Sequence, residues 1–191
     1  MTSFVMQSGV RLLAPHLKQA LDNGAEVKML AGDYLYVTQP EGLRALREID
    51  DRLEARLWRS AGTSFHPKAY LFDYENGEGL LIVGSSNFSL SAMRMGMEWN
   101  LAMNAQAEPY TFQLAMEKFM QSFYHESTLP LNDSTIDLYE DEYAFYHQKN
   151  PELIRQIIEM EEAEYCPSES EQQKAEESNG GYELLLPRPA Q

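Results

Sequence analysis

The most constraining stretch of the chain is a pair of apolar runs, KAYLFDY at 68–74 and GLLIVG at 79–84, separated by Glu75-Asn76-Gly77-Glu78. Asn-Gly between two such runs is a strong short-range signal for an antiparallel hairpin. Once the hairpin forms, its return end, Gly84-Ser85-Ser86-Asn87, must come back beside its entry at His66-Pro67-Lys68. Helical and strand patterns alternate around it. Phe4-Val5 reads as the end of a short first strand. Ser8 is placed as the N-cap of a helix with Val10, Leu12, Leu13, Leu17 and Leu21 on its apolar stripe and Asn23-Gly24 as its stop. Pro15 inside that pattern argues for a kink or a later start. Residues 26–31 and 53–58 read as strands, with a helix from Pro40 through Leu43, Leu46 and Ile49 between them. After the hairpin come a short helical piece at 90–95, a strand at 97–103 and an amphipathic helix at 110–124. This alternation predicts an α/β fold, a mixed sheet flanked by helices.

Composition bounds what such a sheet can serve. The 191 residues are 43% hydrophobic, enough for one buried core, and no apolar run approaches the roughly 18 residues of a membrane span. One cysteine, Cys166, excludes an internal disulfide. The expectation is a soluble, cytoplasmic domain. The net charge is −15, unevenly spread: residues 1–110 hold 10 Lys/Arg and 13 Asp/Glu, residues 111–191 hold 5 and 17. The acidity argues against nucleic-acid binding over the whole chain, and much less against a local phosphate site in the first half. Residues 133–165 are acidic with a weak helical stripe, and 166–182 (CPSESEQQKAEESNGGY) have almost nothing to bury, so a disordered linker is expected there.

The chemistry concentrates around the hairpin. His66 and Lys68, two apart in an extended segment, leave the same face of the sheet. The return loop adds Ser85 and Asn87, and the next strand offers Glu98. That set suits a phosphodiester. An imidazole nitrogen attacks phosphorus, while Lys68, Ser85 and Asn87 hold the non-bridging oxygens. A carboxylate on the far ring nitrogen of a histidine fixes its tautomer. Simpler readings stand beside this one: Ser85 as a turn residue, Glu98 as a half-exposed strand carboxylate, Met93, Met95 and Met97 as strand packing, and Tyr34 and Tyr36 as rim or core. His16, His125 and His147 read as surface or packing residues.

His66-x-Lys68-x4-Asp73 followed by Gly84-Ser85-x-Asn87 resembles the HxKx4D…GSxN signature of the phospholipase D superfamily. Residues 1–125 resemble its nuclease-like branch in particular, found in metal-independent restriction endonucleases and in nuclease domains attached to helicases. Asn87 and Glu98 match the Asn and Glu that complete the site there. The ten residues between Asp73 and Gly84 exceed the superfamily's usual gap, and a longer hairpin through Asn76-Gly77 would absorb the difference. The resemblance implies a phospholipase-D-like mixed sheet with one HxK motif per chain and a metal-independent nuclease acting on DNA through a phosphohistidine, without a cofactor. His66, Lys68, Ser85, Asn87 and Glu98 would form the site, and Asp73 is often structural in the family. Because the superfamily builds its site from two motif copies, a lone copy implies a homodimer.

The terminal Leu185-Leu186-Pro187-Arg188-Pro189-Ala190-Gln191 resembles the entry to a superfamily-2 helicase core. The expected organisation is therefore a nuclease-like domain at 1–130, an acidic helical extension at 131–165, and a disordered linker at 166–191 leading toward a helicase. A non-catalytic nucleic-acid- or partner-binding module is the competing reading. A lipid phosphodiesterase is a third, disfavoured by the lack of a basic amphipathic helix. Limited proteolysis is expected to cut first within 166–182 and leave residues 1–165. First cleavage at Glu75–Glu78 would contradict this assignment.

Overall fold

The computed structural model describes residues 1–152, so the expectations for 153–165 and for the linker at 166–191 lie outside the described residues. Seven strands form one mixed sheet: β1 (Thr2–Ser3), β2 (Lys28–Gly32), β3 (Glu54–Trp58), β4 (Ala69–Asp73), β5 (Gly79–Gly84), β6 (Asn100–Asn104) and β7 (Thr128–Pro130). Their spatial order is β6-β5-β4-β1-β2-β3-β7. β1, β2 and β3 run parallel, β4, β5 and β6 form an antiparallel meander, and β7 closes the far edge antiparallel to β3.

Strand alternation sends side chains to two separate cores. On one face, Met29, Ala31, Leu57 and Tyr70 pack with residues of α1 (Gln7–Asp22), α2 (Pro40–Arg47) and a C-terminal helix at Asp133–Lys149, around the fully buried Phe88. A short helix, α3 (Leu90–Arg94), continues from that residue and has Ser89 as its N-cap. On the other face α4 (Pro109–Phe123) lays Phe112, Phe119 and Phe123 over Leu30 and Leu81. The layered α/β architecture is therefore as the pattern predicts. Among the described residues no helix is long and apolar enough to cross a membrane.

Several local expectations are corrected. The first strand is Thr2–Ser3 rather than Phe4-Val5, with Val5 making a lone bridge to Phe88. The first helix starts at Gln7 with Met6 as N-cap, and Ser8 Oγ instead accepts the Leu90 N–H at 3.2 Å, a use no local pattern foretells. Pro15 sits exposed within that helix and does not delay its start. The long hairpin keeps β4 and β5 in register from Ala69↔Val83 to Asp73↔Gly79. The turn itself is a tight three-residue loop closed by Tyr74 N–H to the Glu78 carbonyl at 3.0 Å, so the added residues lengthen the paired strands. Gly77, at φ 78°, takes the left-handed position that such a loop requires.

The acidic segment begins with α5 (Asp133–Lys149), capped by Asn132 Oδ1 on the Thr135 N–H at 2.9 Å. Ile136 and Tyr139 on this helix are fully buried, and Tyr139 Oη donates to the Thr38 carbonyl at 2.7 Å. Its acids meet arginines of the body: Arg44 with Asp137 and Glu140, Arg47 with Asp133, and Arg59 with Glu142. Ile136→Ala is expected to lower unfolding free energy by roughly 2–4 kcal/mol in urea titrations. An effect below about 0.5 kcal/mol would mean that α5 contributes little to the body.

Candidate active site

The site lies where β1 ends and β4 begins. His66 and Lys68 were expected on a strand, but β4 proper begins at Ala69, and the ladder extends back only through the Lys68 carbonyl. The backbone there is nonetheless extended enough for both side chains to share a face. Lys68 Nζ lies 2.9 Å from His66 Nε2 and 3.3 Å from Nδ1. Phe4, just beyond β1, sets its ring edge-on to the imidazole at 4.9 Å, and Lys68 Nζ sits 4.9 Å from the centre of the same ring. Lys68 is only 7% exposed, and no carboxylate stands within ion-pair distance of it among the described residues.

The return loop is held by backbone. Gly84 N–H reaches the Lys68 carbonyl at 3.3 Å, and Ser85 N–H reaches that of Trp99 at 3.1 Å. A Cβ at Gly84 would collide with the Trp99 carbonyl and Asn100, which is why glycine is needed here. Phe88 then exchanges hydrogen bonds with Phe4 and Met6, drawing Ser85–Phe88 alongside the end of β1. Asn87 keeps a buried side-chain oxygen with no hydrogen-bond partner among the described residues.

Glu98 was expected on a strand, completing the site with Asn87. It precedes β6, which starts at Asn100, and its carboxylate accepts a hydrogen bond from the Ser85 hydroxyl, whose Oγ also accepts the Trp99 N–H at 3.0 Å. Burial lowers the Lys68 pKa, and the charge of Glu98 opposes that shift. The structure thus forms two contacting pairs, His66 with Lys68 and Ser85 with Glu98, coupled by that field, with Asn87 in the connecting loop. Asp73 lies exposed at the opposite end of β4.

Three nearby residues were not foreseen. Phe4 is one. Tyr70 is the next residue on the His66–Lys68 face, and period-two counting would have found it. Its hydroxyl donates to the Ser86 carbonyl at 3.1 Å, and burial pushes its pKa up to about 12. The third, Asn100, donates from Nδ2 to Ser86 Oγ at 2.7 Å. The other histidines pack elsewhere: His125 stacks on Trp58 at 4.9 Å, and His147 stacks on Tyr143 at 3.7 Å.

Burial, then the charge of Lys68, holds the His66 pKa below its ordinary value of 6.5. Burial also lowers that of Lys68, partly opposed by Glu98. The imidazole is therefore unprotonated at neutral pH and available as a nucleophile, beside a cation that an incoming anion would neutralise. Because the folded chain resists protonating His66, the unfolded chain binds the extra proton first. Stability contributed by this group is full above about pH 6.5 and is lost as pH falls toward the depressed value. An NMR titration should place the His66 midpoint below the ordinary range, and Lys68→Met should raise it. An unchanged midpoint in the variant would remove the electrostatic part of this account.

No curated protein is significantly similar to the chain. A family model described as the PLD-like domain of cardiolipin synthase matches residues 1–125, the stretch that holds both contacting pairs and all but one described strand. With that span of match, the His66–Lys68 pair and the seven-stranded sheet flanked by helices, the chain belongs to the phospholipase D superfamily.

Proposed function

We propose that this domain is a metal-independent phosphodiesterase acting on DNA, the nuclease part of a larger helicase-containing protein. Membership of the superfamily supports phosphodiesterase chemistry in general. The observation that carries the reading is the nearly buried Lys68 against the imidazole of His66, a cation whose missing countercharge a phosphate would supply. In the first step a His66 nitrogen attacks phosphorus, forming an N–P bond as the P–O bond to the leaving group breaks. Lys68 and the Ser85–Asn87 loop stabilise charge on the non-bridging oxygens. The leaving oxygen takes a proton from a second histidine on the opposite side of phosphorus. That histidine then accepts a proton from the water that cleaves the N–P bond and frees His66.

The second histidine is the reason for proposing a homodimer. Entering and leaving groups lie on opposite faces of phosphorus, so one His66 cannot serve both, and the stacked His125 and His147 lie outside any HxK context. A twofold axis pairing the His66 faces of two chains supplies the second copy. The acidic regions from residue 111 onward would point away from that axis, since close approach would be repulsive. A cytoplasmic location fits these roles.

A second reading, a non-catalytic module holding nucleic acid or a protein partner, is favoured by the net charge of −15. Hydrolysis of bis-p-nitrophenyl phosphate in EDTA separates the two: sustained turnover supports the enzyme, and none supports the module. Comparing DNA with phosphatidylglycerol vesicles separates a nuclease from the lipid chemistry named in the family description. His66→Ala should leave less than a few per cent of wild-type turnover with the fold intact. Mixed dimers of wild type and His66→Ala should be nearly inactive, and half activity would show that each chain works alone.

A further inference from the structure

The sheet ends on β6, and no strand covers its outer side among the described residues. Free edges are usually blunted by charge, proline or a bulge, because unpaired backbone groups recruit other strands. This edge has none of these devices. From Trp99 to Ala107 the sequence WNLAMNAQA holds no charged residue, in a chain of net charge −15. Beside it Met97, Trp99 and Leu101 are 94%, 83% and 72% exposed, and Val83, opposite Leu101 on β5, is exposed as well. A contiguous apolar surface of this kind marks a contact with another molecule.

The backbone shows what kind of contact. Ser85 N–H bonds the Trp99 carbonyl, and Ala105 N–H bonds that of Gly79. In an antiparallel ladder these bonds recur every second residue, so Trp99, Leu101, Met103 and Ala105 bond inward to β5. Asn100, Ala102 and Asn104 therefore turn their backbone groups outward. The strand Asn-Leu-Ala-Met-Asn is nearly palindromic about Ala102. Laid antiparallel on itself, it sets Asn100 opposite Asn104, Leu101 opposite Met103 and Ala102 opposite Ala102, with no like charges facing.

We propose that the outer edge of β6 is an interface between two copies of this chain, paired antiparallel about a twofold axis through Ala102. The pairing joins two seven-stranded sheets into one. Ala102 N–H donates to the carbonyl of the partner's Ala102, and Asn104 N–H to that of the partner's Asn100, each twice by symmetry. The Asn104 carbonyl stays with Ala107 and Glu108, whose N–H groups it accepts at 3.2 Å. Leu101 comes to lie beside the partner's Met103, covering the apolar strip on the α4 side of the sheet. This is an edge contact, separate from the pairing of His66 faces, and it holds whether or not the chain is an enzyme.

The test uses the full chain with its single cysteine removed by Cys166→Ser. In that background Ala102→Cys places two thiols on residues whose Cα atoms are about 5.5 Å apart, within disulfide range. Mild oxidation should link it rapidly, far faster than Glu117→Cys on the exposed side of α4. Ala102→Pro removes an N–H that faces outward, a loss an edge strand tolerates, and should halve the mass seen by sedimentation equilibrium. Where that variant loses its circular-dichroism signature, Leu101→Lys, at an already exposed side chain, should halve the mass instead. A wild-type mass of one chain at micromolar concentration overturns the proposal, whether the edge is bare or covered by residues 153–191. Linking of Ala102→Cys no faster than the control, or a folded variant that keeps the wild-type mass, overturns it equally.

Discussion

Phe88 joins the two halves of this sheet. The parallel half, β1 to β3, meets the antiparallel arm, β4 to β6, at a strand only two residues long, through the pair Thr2↔Ala69. That seam is too short to fix an angle. The reinforcement comes from just beyond it, where Phe88 N–H bonds the Phe4 carbonyl and Met6 N–H bonds that of Phe88, both at 3.0 Å. The ring of Phe88 is fully buried, and Gly9 on α1 passes so close to the Phe88 backbone that a Cβ there would collide with it. The same short segment thus completes the sheet, seats α1 and brings Ser85–Asn87 to the His66 side. Sheet closure and site assembly are one packing event.

How much of this was legible in the sequence follows the range of the forces involved. The hairpin was readable because turn chemistry and period-two patterning act over a dozen residues, and β5 falls at 79–84 as the pattern places it. His66 and Lys68 were placed on one face by the same periodicity, although β4 starts just after them, at Ala69. Ser8 was misread because its hydroxyl serves Leu90, 82 residues away. The partner of Glu98 was hidden for a related reason: Ser85 belongs to another turn, and no local pattern pairs the two. The burial of Ile136 and Tyr139 inside an acidic helix was hidden by the charges around them, which the arginines of α2 and the β3 end neutralise in space.

That neutralisation bears on the site. Arg44, Arg47, Arg52 and Arg59 all spend their charge on carboxylates of the same chain. Most of these pairs are exposed and contribute little to stability, but they remove cations from the pool that could greet a polyanion. Among the described residues Lys68 is left as a buried cation without such a partner. On the proposed function, recognition of a phosphate would rest on a few oriented groups at short range, with little long-range attraction from a chain this acidic.

The hairpin loop at Glu75–Gly77 has a practical corollary. It caps the end of β4–β5 opposite Lys68, about 17 Å away at the usual rise of a five-residue strand. Residues 74–78 are exposed, and the loop closes the hairpin beyond its last paired residues, Asp73 and Gly79. A fluorophore attachment site or a short epitope grafted between Asn76 and Gly77 would report on the molecule from outside, leaving the imidazole, the ammonium and the β6 edge untouched.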